Sequence, residues 1–154
     1  MSNKDKTNNS ESIEQLCGFR IGSNLYGLSV TEVQEVIKPQ RVTIVPKSPD
    51  HIRGLINLRG QIVTQISLRK IFGLNEDYKQ DYMNIIISRG DSLFALVVDE
   101  ILDVTDVSSS TFEDTPNTVD KKIIGYIKGV YKLSEGLQII IDSDKIISLE
   151  KSKR

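Results

Sequence analysis

Residues 22–36 read GSNLYGLSVTEVQEV, and residues 90–104 read GDSLFALVVDEILDV. Displaced by 68 residues, the second stretch falls on the first: Gly22 meets Gly90, Leu25 meets Leu93, Tyr26 meets Phe94, Leu28 meets Leu96 and Val30 meets Val98. The match continues through Glu32 and Glu100, Val33 and Ile101, Glu35 and Asp103, and Val36 and Val104. Farther on, at a displacement of 75, IRGLINL (52–58) falls on IKGVYKL (127–133), and one inserted residue later SLRKI falls on DSDKI. Self-similarity on this scale marks a duplicated structural unit. The copies run from about 15 to 74 and from about 83 to 149.

Each copy is written in strand code. Short runs of Val, Ile, Leu, Phe and Tyr alternate with Gly, Asn, Asp and Ser turns. The spacing predicts strands over 15–22, 25–30, 34–38, 42–46, 52–58, 61–67, 83–89, 93–98, 101–107, 124–132 and 137–142. Gly22-Ser23-Asn24 and Arg89-Gly90-Asp91-Ser92 have the composition of hairpin turns. Two short helices are expected over 67–72, stopped by Gly73, and over 142–149; each opens on a Ser or Asp able to cap its N-terminus. About five strands of this length curl into a small closed barrel, which leaves no exposed sheet edge. The fold class is therefore mostly β: two five-stranded β-barrels related by a pseudo-twofold, with two short helices. The repeat leaves open whether the first strand of each copy stays in its own barrel or crosses to the other.

The bulk numbers bound the function. A chain of 154 residues buries enough surface to fold without disulfides or metal. Its 20 Lys and Arg against 21 Asp and Glu give no basic excess to attract nucleic acid. One cysteine, Cys17, fits a reducing compartment. The polar N-terminus lacks an apolar signal-peptide core, and no apolar run is long enough to span a bilayer. A cytoplasmic protein is expected, with polar tails at 1–14 and 150–154 flanking a single domain over 15–149.

Catalytic material is scarce. His51 is the sole histidine and lies in the loop PKSPDHIRG, where a solvated side chain is the ordinary reading. Cys17 has no nearby histidine and alternates with Phe19 and Ile21 on one strand face, as a core or groove residue does. No Cys/His cluster has metal spacing and no phosphate-binding glycine loop is present. Asp99 and Glu100 are adjacent, so on a strand they face opposite ways and read as a solvated strand end. Asp103, Asp106 and Glu113 extend an acidic edge. The sequence thus names no catalytic residue, no cofactor and no metal. What repeats is apolar: Leu28, Val30, Val33 and Val36, matched by Leu96, Val98, Ile101 and Val104. Part of that set is ordinary core; the rest suits a groove for an amphipathic partner helix.

The blocks FRIGSNLYGLSVTEVQEVI, VTIVPKSPDHIRGLINLRGQIV, LFALVVDEILDV and LQIIIDSDKII resemble those of the CheW family, the coupling proteins of bacterial chemotaxis. The resemblance spans about 15 to 149, and its most distinctive element is I-x-G-[LVI]-I-N-L-R-G-x-[IV]-[IV]. It implies two SH3-like barrels and a stand-alone adaptor without enzymatic activity. The implied partners are the cytoplasmic tip of methyl-accepting chemoreceptors and the regulatory domain of a CheA-type histidine kinase, in receptor arrays at the inner face of the membrane. The implied receptor groove comprises Cys17, Val30, Val33, Val36, Ile101 and Val104. Asn57, Leu58, Arg59 and Gly60 would contact receptor or kinase, and Ile37, Lys38, Arg41, Val42 and Thr43 the kinase. Two features depart from the family pattern. Thr64 and Ser67 replace a usual proline and aspartate, and the polar stretch 108–122 does not align residue by residue.

Rival readings are a nucleic-acid-binding barrel and a cleft enzyme. The first needs a basic face bearing aromatics, whereas five Tyr and four Phe sit mostly at core-like positions. The second needs convergent residues that the spacing does not provide. Within the adaptor class, a non-motility chemosensory pathway fits equally well. One asymmetry stands out. Where the first copy has Arg59, the second has Ser134 and Glu135, so the turn needs polarity and not an arginine.

Overall fold

The two copies exchange their first hairpins. In the computed structural model, which describes residues 12–134 and 136–152, the first copy contributes β1 (Ile13–Ile21), β2 (Asn24–Ser29), β3 (Val33–Ile37), β4 (Ile52–Leu58) and β5 (Gln61–Ser67), closed by a short α1 (Leu68–Ile71). The second contributes β6 (Met83–Arg89), β7 (Ser92–Val98), β8 (Glu100–Ser108), a two-residue β9 (Phe112–Glu113), α2 (Lys121–Ile124), β10 (Ile127–Leu133), β11 (Gly136–Ile141) and α3 (Ser143–Ser152). Strand pairing gives a six-stranded sheet in the order β8-β1-β2-β11-β10-β9 and a five-stranded sheet in the order β3-β6-β7-β5-β4. Each sheet holds a hairpin from one copy and later strands from the other.

Replacing every strand of the five-stranded sheet by its repeat equivalent reproduces the six-stranded order, with β9 added at the edge. The central junction is parallel in both, β5 on β7 and β11 on β2. The registers also break at equivalent points, between Ile52 and Gly54 and between Ile127 and Gly129. Bulges of this kind bend a strand and raise its twist.

Both faces of the central strands are buried. Ile85 and Ile87 of β6 and Phe94, Leu96 and Val98 of β7 join Phe19, Ile21, Tyr26 and Leu28 of the other hairpin in one large core shared by the sheets. The alternate residues Ile86 and Ala95 turn the opposite way, into a smaller cluster with Ile56, Leu58 and Val63. Near-continuous apolar runs such as MNIII and LFALVV are what two-sided burial demands.

The mostly β expectation holds: eleven strands among the described residues form two sheets with few short helices, their ladders running from β8 to β9 and from β3 to β4. Other expectations are corrected. Residues 42–46 form no strand; Thr43 alone bridges Leu55. Strand 25–30 stops at Ser29, because Val30–Glu32 coil into a 3-10 turn whose Thr31 N–H reaches Ser29 Oγ at 3.4 Å. No residue is inserted between the copies' last hairpins, since Leu58 pairs with Gln61 and Leu133 with Gly136. Ser67 does cap α1, accepting from the Lys70 N–H at 3.1 Å. Of the expected tails, 1–11 and 153–154 lie outside the described residues; Ile13 and Glu14 belong to β1, and α3 continues to Ser152.

Candidate functional site

The hairpin joining β4 to β5 has a two-residue loop, Arg59-Gly60. Both have positive φ, 51° and 88°, the signature of a type I′ turn, which matches strand twist and favours Asn-Gly or Gly-Gly. Arginine in the left-handed region is a costly choice. The Asn57 side chain accepts the Gly60 N–H at 2.9 Å and braces the turn. Leu58 points inward and is 5% exposed, so it anchors the turn in the Ile56–Val63–Ile86–Ala95 cluster and is no surface contact. Arg59 reaches sideways to Glu35 of the edge strand β3, donating through Nη2 to Oε2. Of the four residues expected to act together, Asn57, Arg59 and Gly60 form the outer turn and Leu58 is its root. Glu35 was missed as a partner; 24 residues separate the pair, and no local period links them.

The segment 38–43 lies against the same sheet. Ile37 and Val42 pack on the small cluster. Thr43 and Leu55 exchange two backbone hydrogen bonds of 2.8 Å each. Gly54 makes this approach possible: a Cβ there would lie 2.4 Å from the Thr43 carbonyl oxygen and 2.7 Å from Val42 Cγ1. Lys38 and Arg41 stay outside, with the Lys38 carbonyl accepting from Asn84 Nδ2 at 3.3 Å. The second copy repeats the device, because a Cβ on Gly129 would meet the Glu113 carbonyl oxygen at 2.5 Å. The stretch 108–122 that resists alignment by sequence therefore contains, at Phe112–Glu113, the counterpart of Val42–Thr43.

The six residues assigned to a groove form two sets. Val33 and Val36 lie on β3, opposite Ile87 and Ile85. Ile101 and Val104 lie on β8, opposite Phe19 and Cys17. Val33, Val36 and Ile101 are half-buried against the shared core, whereas Val104 is 55% exposed. Val33 lines a cleft of about 670 Å³ with Glu32, Arg89 and Asp144. Ile101 lines a different one, about 600 Å³, with Arg69 and Asp99. Val30 borders a third. Cys17 is buried, and burial pushes its thiol pKa up; it is the cross-strand neighbour of Val104.

Ion pairs tie the sheets together beside both clefts. Arg69, in α1, makes a two-pronged contact with Asp99: Nε to Oδ1 at 2.8 Å and Nη2 to Oδ2 at 2.7 Å. The Gly22 N–H adds a third hydrogen bond at 2.8 Å. Burial pulls the Asp99 carboxyl upward, but the Arg69 and Gly22 hydrogen bonds outweigh it and hold the group below the usual carboxylate range. Asp99 is thus a structural anchor and not a solvated strand end. On the other side Arg89 binds Asp144 at 2.6 Å and Glu32 at 2.8 Å. His51, expected in solvent, is 7% exposed, and its carbonyl accepts the Ser67 N–H at 2.8 Å.

Among the described residues no group of three or more His, Cys, Asp or Glu is placed to hold a metal ion, and no helix is long and apolar enough to cross a membrane. The acids and bases that approach one another are spent on ion pairs between elements, an arrangement suited to holding surfaces in place.

Comparison with known proteins agrees with this geometry. Residues 15–151 match the family model of the CheW-like domain. The chain is 34% identical over 141 residues to the chemotaxis protein CheW of Bacillus subtilis, covering 91% of this chain and 90% of that one. It is 30% identical over 145 residues to CheW of Treponema pallidum, covering 91% and 85%. The crystal structure of the scaffolding protein TtCheW from Thermoanaerobacter tengcongensis superposes with a TM-score of 0.76 at 31% identity, over 84% of this chain and 89% of that chain.

Proposed function

This chain belongs to the CheW family of non-enzymatic chemotaxis scaffolds, and we propose that it couples methyl-accepting chemoreceptors to a CheA-type histidine kinase. The observation that carries the reading is the Arg59 turn. An arginine occupies a left-handed position that the fold alone would give to Asn or Gly, and its side chain is 67% exposed beside Glu35. Arginine held rigidly on a protein surface is a common energetic centre of interfaces. In this reading Asn57, Arg59 and Gly60 meet receptor or kinase, and Ile37, Lys38, Arg41, Val42 and Thr43 frame the kinase surface. The Val33–Val36 and Ile101–Val104 edges receive the receptor helix, with Val30 beside them and Cys17 across the ladder from Val104. Each sheet curls as the wall of an SH3-like barrel, a reading supported by the paired bulges at Gly54 and Gly129. Docked this way, the protein sits in arrays at the inner face of the membrane, where several modest contacts reinforce one another through effective concentration.

The test is co-purification of the tagged full chain with the cell's own receptors and CheA-type kinase. The expected result is a ternary complex that Arg59→Ala depletes at unchanged protein level. Recovery of neither partner would sink the proposal.

A further inference from the structure

The duplication furnishes one site in the first copy and leaves its counterpart open in the second. In the first copy the linker after α1 folds back over β4 and β5. The Arg53 guanidinium lies over the rings of Tyr78 and Tyr82, 5.1 and 5.0 Å from their centroids. The Tyr78 hydroxyl accepts the Arg69 N–H at 3.0 Å and shares a hydrogen bond of 3.0 Å with Ser67 Oγ. On the same strand Gln65 is fully buried and donates to Asn84 Oδ1 at 2.8 Å.

The second copy keeps this frame and lacks the rings. Gly54 pairs with Gln65 and Gly129 with Ile140, so Lys128 stands where Arg53 stands, and buried Ile140 replaces Gln65. At the 68-residue displacement Glu14 takes the place of Tyr82, and residues 9–14, NSESIE, carry no aromatic side chain. A cavity of about 270 Å³ opens here, lined by Glu14, Phe112, Lys128, Tyr131 and Ile140. The Phe112 and Tyr131 rings are 5.2 Å apart, and Ile140 is 7% exposed. Lys128 joins no ion pair among the described residues. Glu14 accepts from the Tyr131 hydroxyl at 3.2 Å through Oε1. Glu32, also on the rim, is held by Arg89 and Ser143.

We infer that this cavity binds a free amino acid with an aromatic side chain, its ring against Ile140 and Tyr131, its carboxylate at Lys128 and its ammonium at Glu14. The ring takes the place that the linker tyrosines fill in the first copy. Aromatic walls favour a further ring in tilted or offset contact. Charges of both signs stand on one rim and match a zwitterion, each worth a charge-assisted hydrogen bond. The volume lies below the roughly 300–1,000 Å³ of ordinary ligand pockets, which selects a small molecule over a polypeptide segment. No lining residue belongs to the surfaces assigned above to receptor or kinase, so the site stands apart from the coupling role.

The experiment titrates the isotope-labelled full chain with L-phenylalanine at low salt, following backbone amides. Saturable shifts are expected at 112, 128–131 and 139–140. Phenethylamine, which lacks the carboxylate, and hydrocinnamate, which lacks the ammonium, are each expected to bind at least about fivefold more weakly. N-acetylphenylalaninamide, which mimics a phenylalanine within a chain, should be weakened at least as much. Lys128→Met is expected to weaken L-phenylalanine by about fivefold and to erase its advantage over phenethylamine, while Lys128→Arg keeps affinity within about twofold. Lys128 is exposed, and unchanged amide dispersion in β10 and β11 checks that each variant is folded. The inference is overturned by the absence of saturable shifts up to the solubility limit, by an acetylated amide that binds as tightly as the free amino acid, or by a folded Lys128→Met chain of parental affinity. Neither receptor nor kinase is in the sample, so failure of the coupling role and failure of this site are read out separately.

Discussion

Replacing Arg59 by asparagine separates what the turn needs from what the surface needs. A non-glycine side chain in the left-handed region costs about 1–2 kcal/mol, and asparagine tolerates that region best. Asn-Gly is also the preferred type I′ dipeptide, so the substitution relieves about 1 kcal/mol of strain. Against this stands the loss of the Glu35 contact. Arg59 is 67% exposed and Glu35 29%, and solvent screening holds such a pair to about 0.2–1 kcal/mol. The balance lies between zero and about 1 kcal/mol in favour of the Arg59→Asn chain, a rise of roughly 0–4 °C in Tm for a chain of this size. Binding should move the other way, with affinity for purified CheA-type kinase or receptor cytoplasmic fragment falling about tenfold, equivalent to about 1.4 kcal/mol. Thermal melting and isothermal titration on one preparation decide it. A fall in Tm of more than about 6 °C would make Arg59 a structural residue. Unchanged affinity for both partners would refute the claim that the strain is kept for binding.

Other consequences are equally direct. Gly54→Ala drives a methyl to 2.4 Å from the Thr43 carbonyl oxygen; losing both Thr43–Leu55 hydrogen bonds and straining the backbone should cost about 3–5 kcal/mol in urea unfolding, and a cost below about 1 kcal/mol would mean that segment 38–43 is loosely held. Asp99 titrates below its unfolded value near pH 4, so the stability it contributes is full above about pH 4 and is lost as pH falls through the folded value. Asp99→Asn should therefore flatten the acid side of the Tm–pH curve below about pH 4, and an unchanged slope would count against the anchor role. Val33→Asp and Ile101→Asp should each impair receptor-fragment binding more than kinase binding; equal losses for both partners in a folded variant would remove these edges from the receptor surface.

Much of this was written in the sequence, and what was not has a physical cause. The duplication was legible because each half must bury the same apolar pattern. Its consequence for chain tracing was not, since hairpin exchange leaves every local pattern unchanged: β1 and β6 carry the same alternation whichever sheet receives them. Asp99 and His51 were misread because their environments come from distant segments, Arg69 and Gly22 in one case and the loop packed against Ser67 in the other. Leu58 sits in a motif that invites reading as one exposed surface, yet strand alternation turns every second residue inward. The Arg59 asymmetry is visible by comparing copies, but its left-handed φ and its reach to Glu35 arise only from the three-dimensional approach of β3 to the turn.

Hairpin exchange also decides what supports the candidate surfaces. The Arg59 turn belongs to the first copy, but the floor beneath it does not: Leu58 is seated against Ile86 and Ala95 of the second copy's hairpin. Glu35, which receives the arginine, is on a strand whose one ladder partner among the described residues is β6 of that same hairpin. On the opposite side Val104 and Ile101 of the second copy are ladder partners of Cys17 and Phe19 of the first. The Arg59 turn and the β8 edge are thus each mounted on strands from the other half, the turn over the small cluster and Ile101 against the large core. The exchanged hairpins therefore give each candidate surface a floor supplied by the other half of the chain.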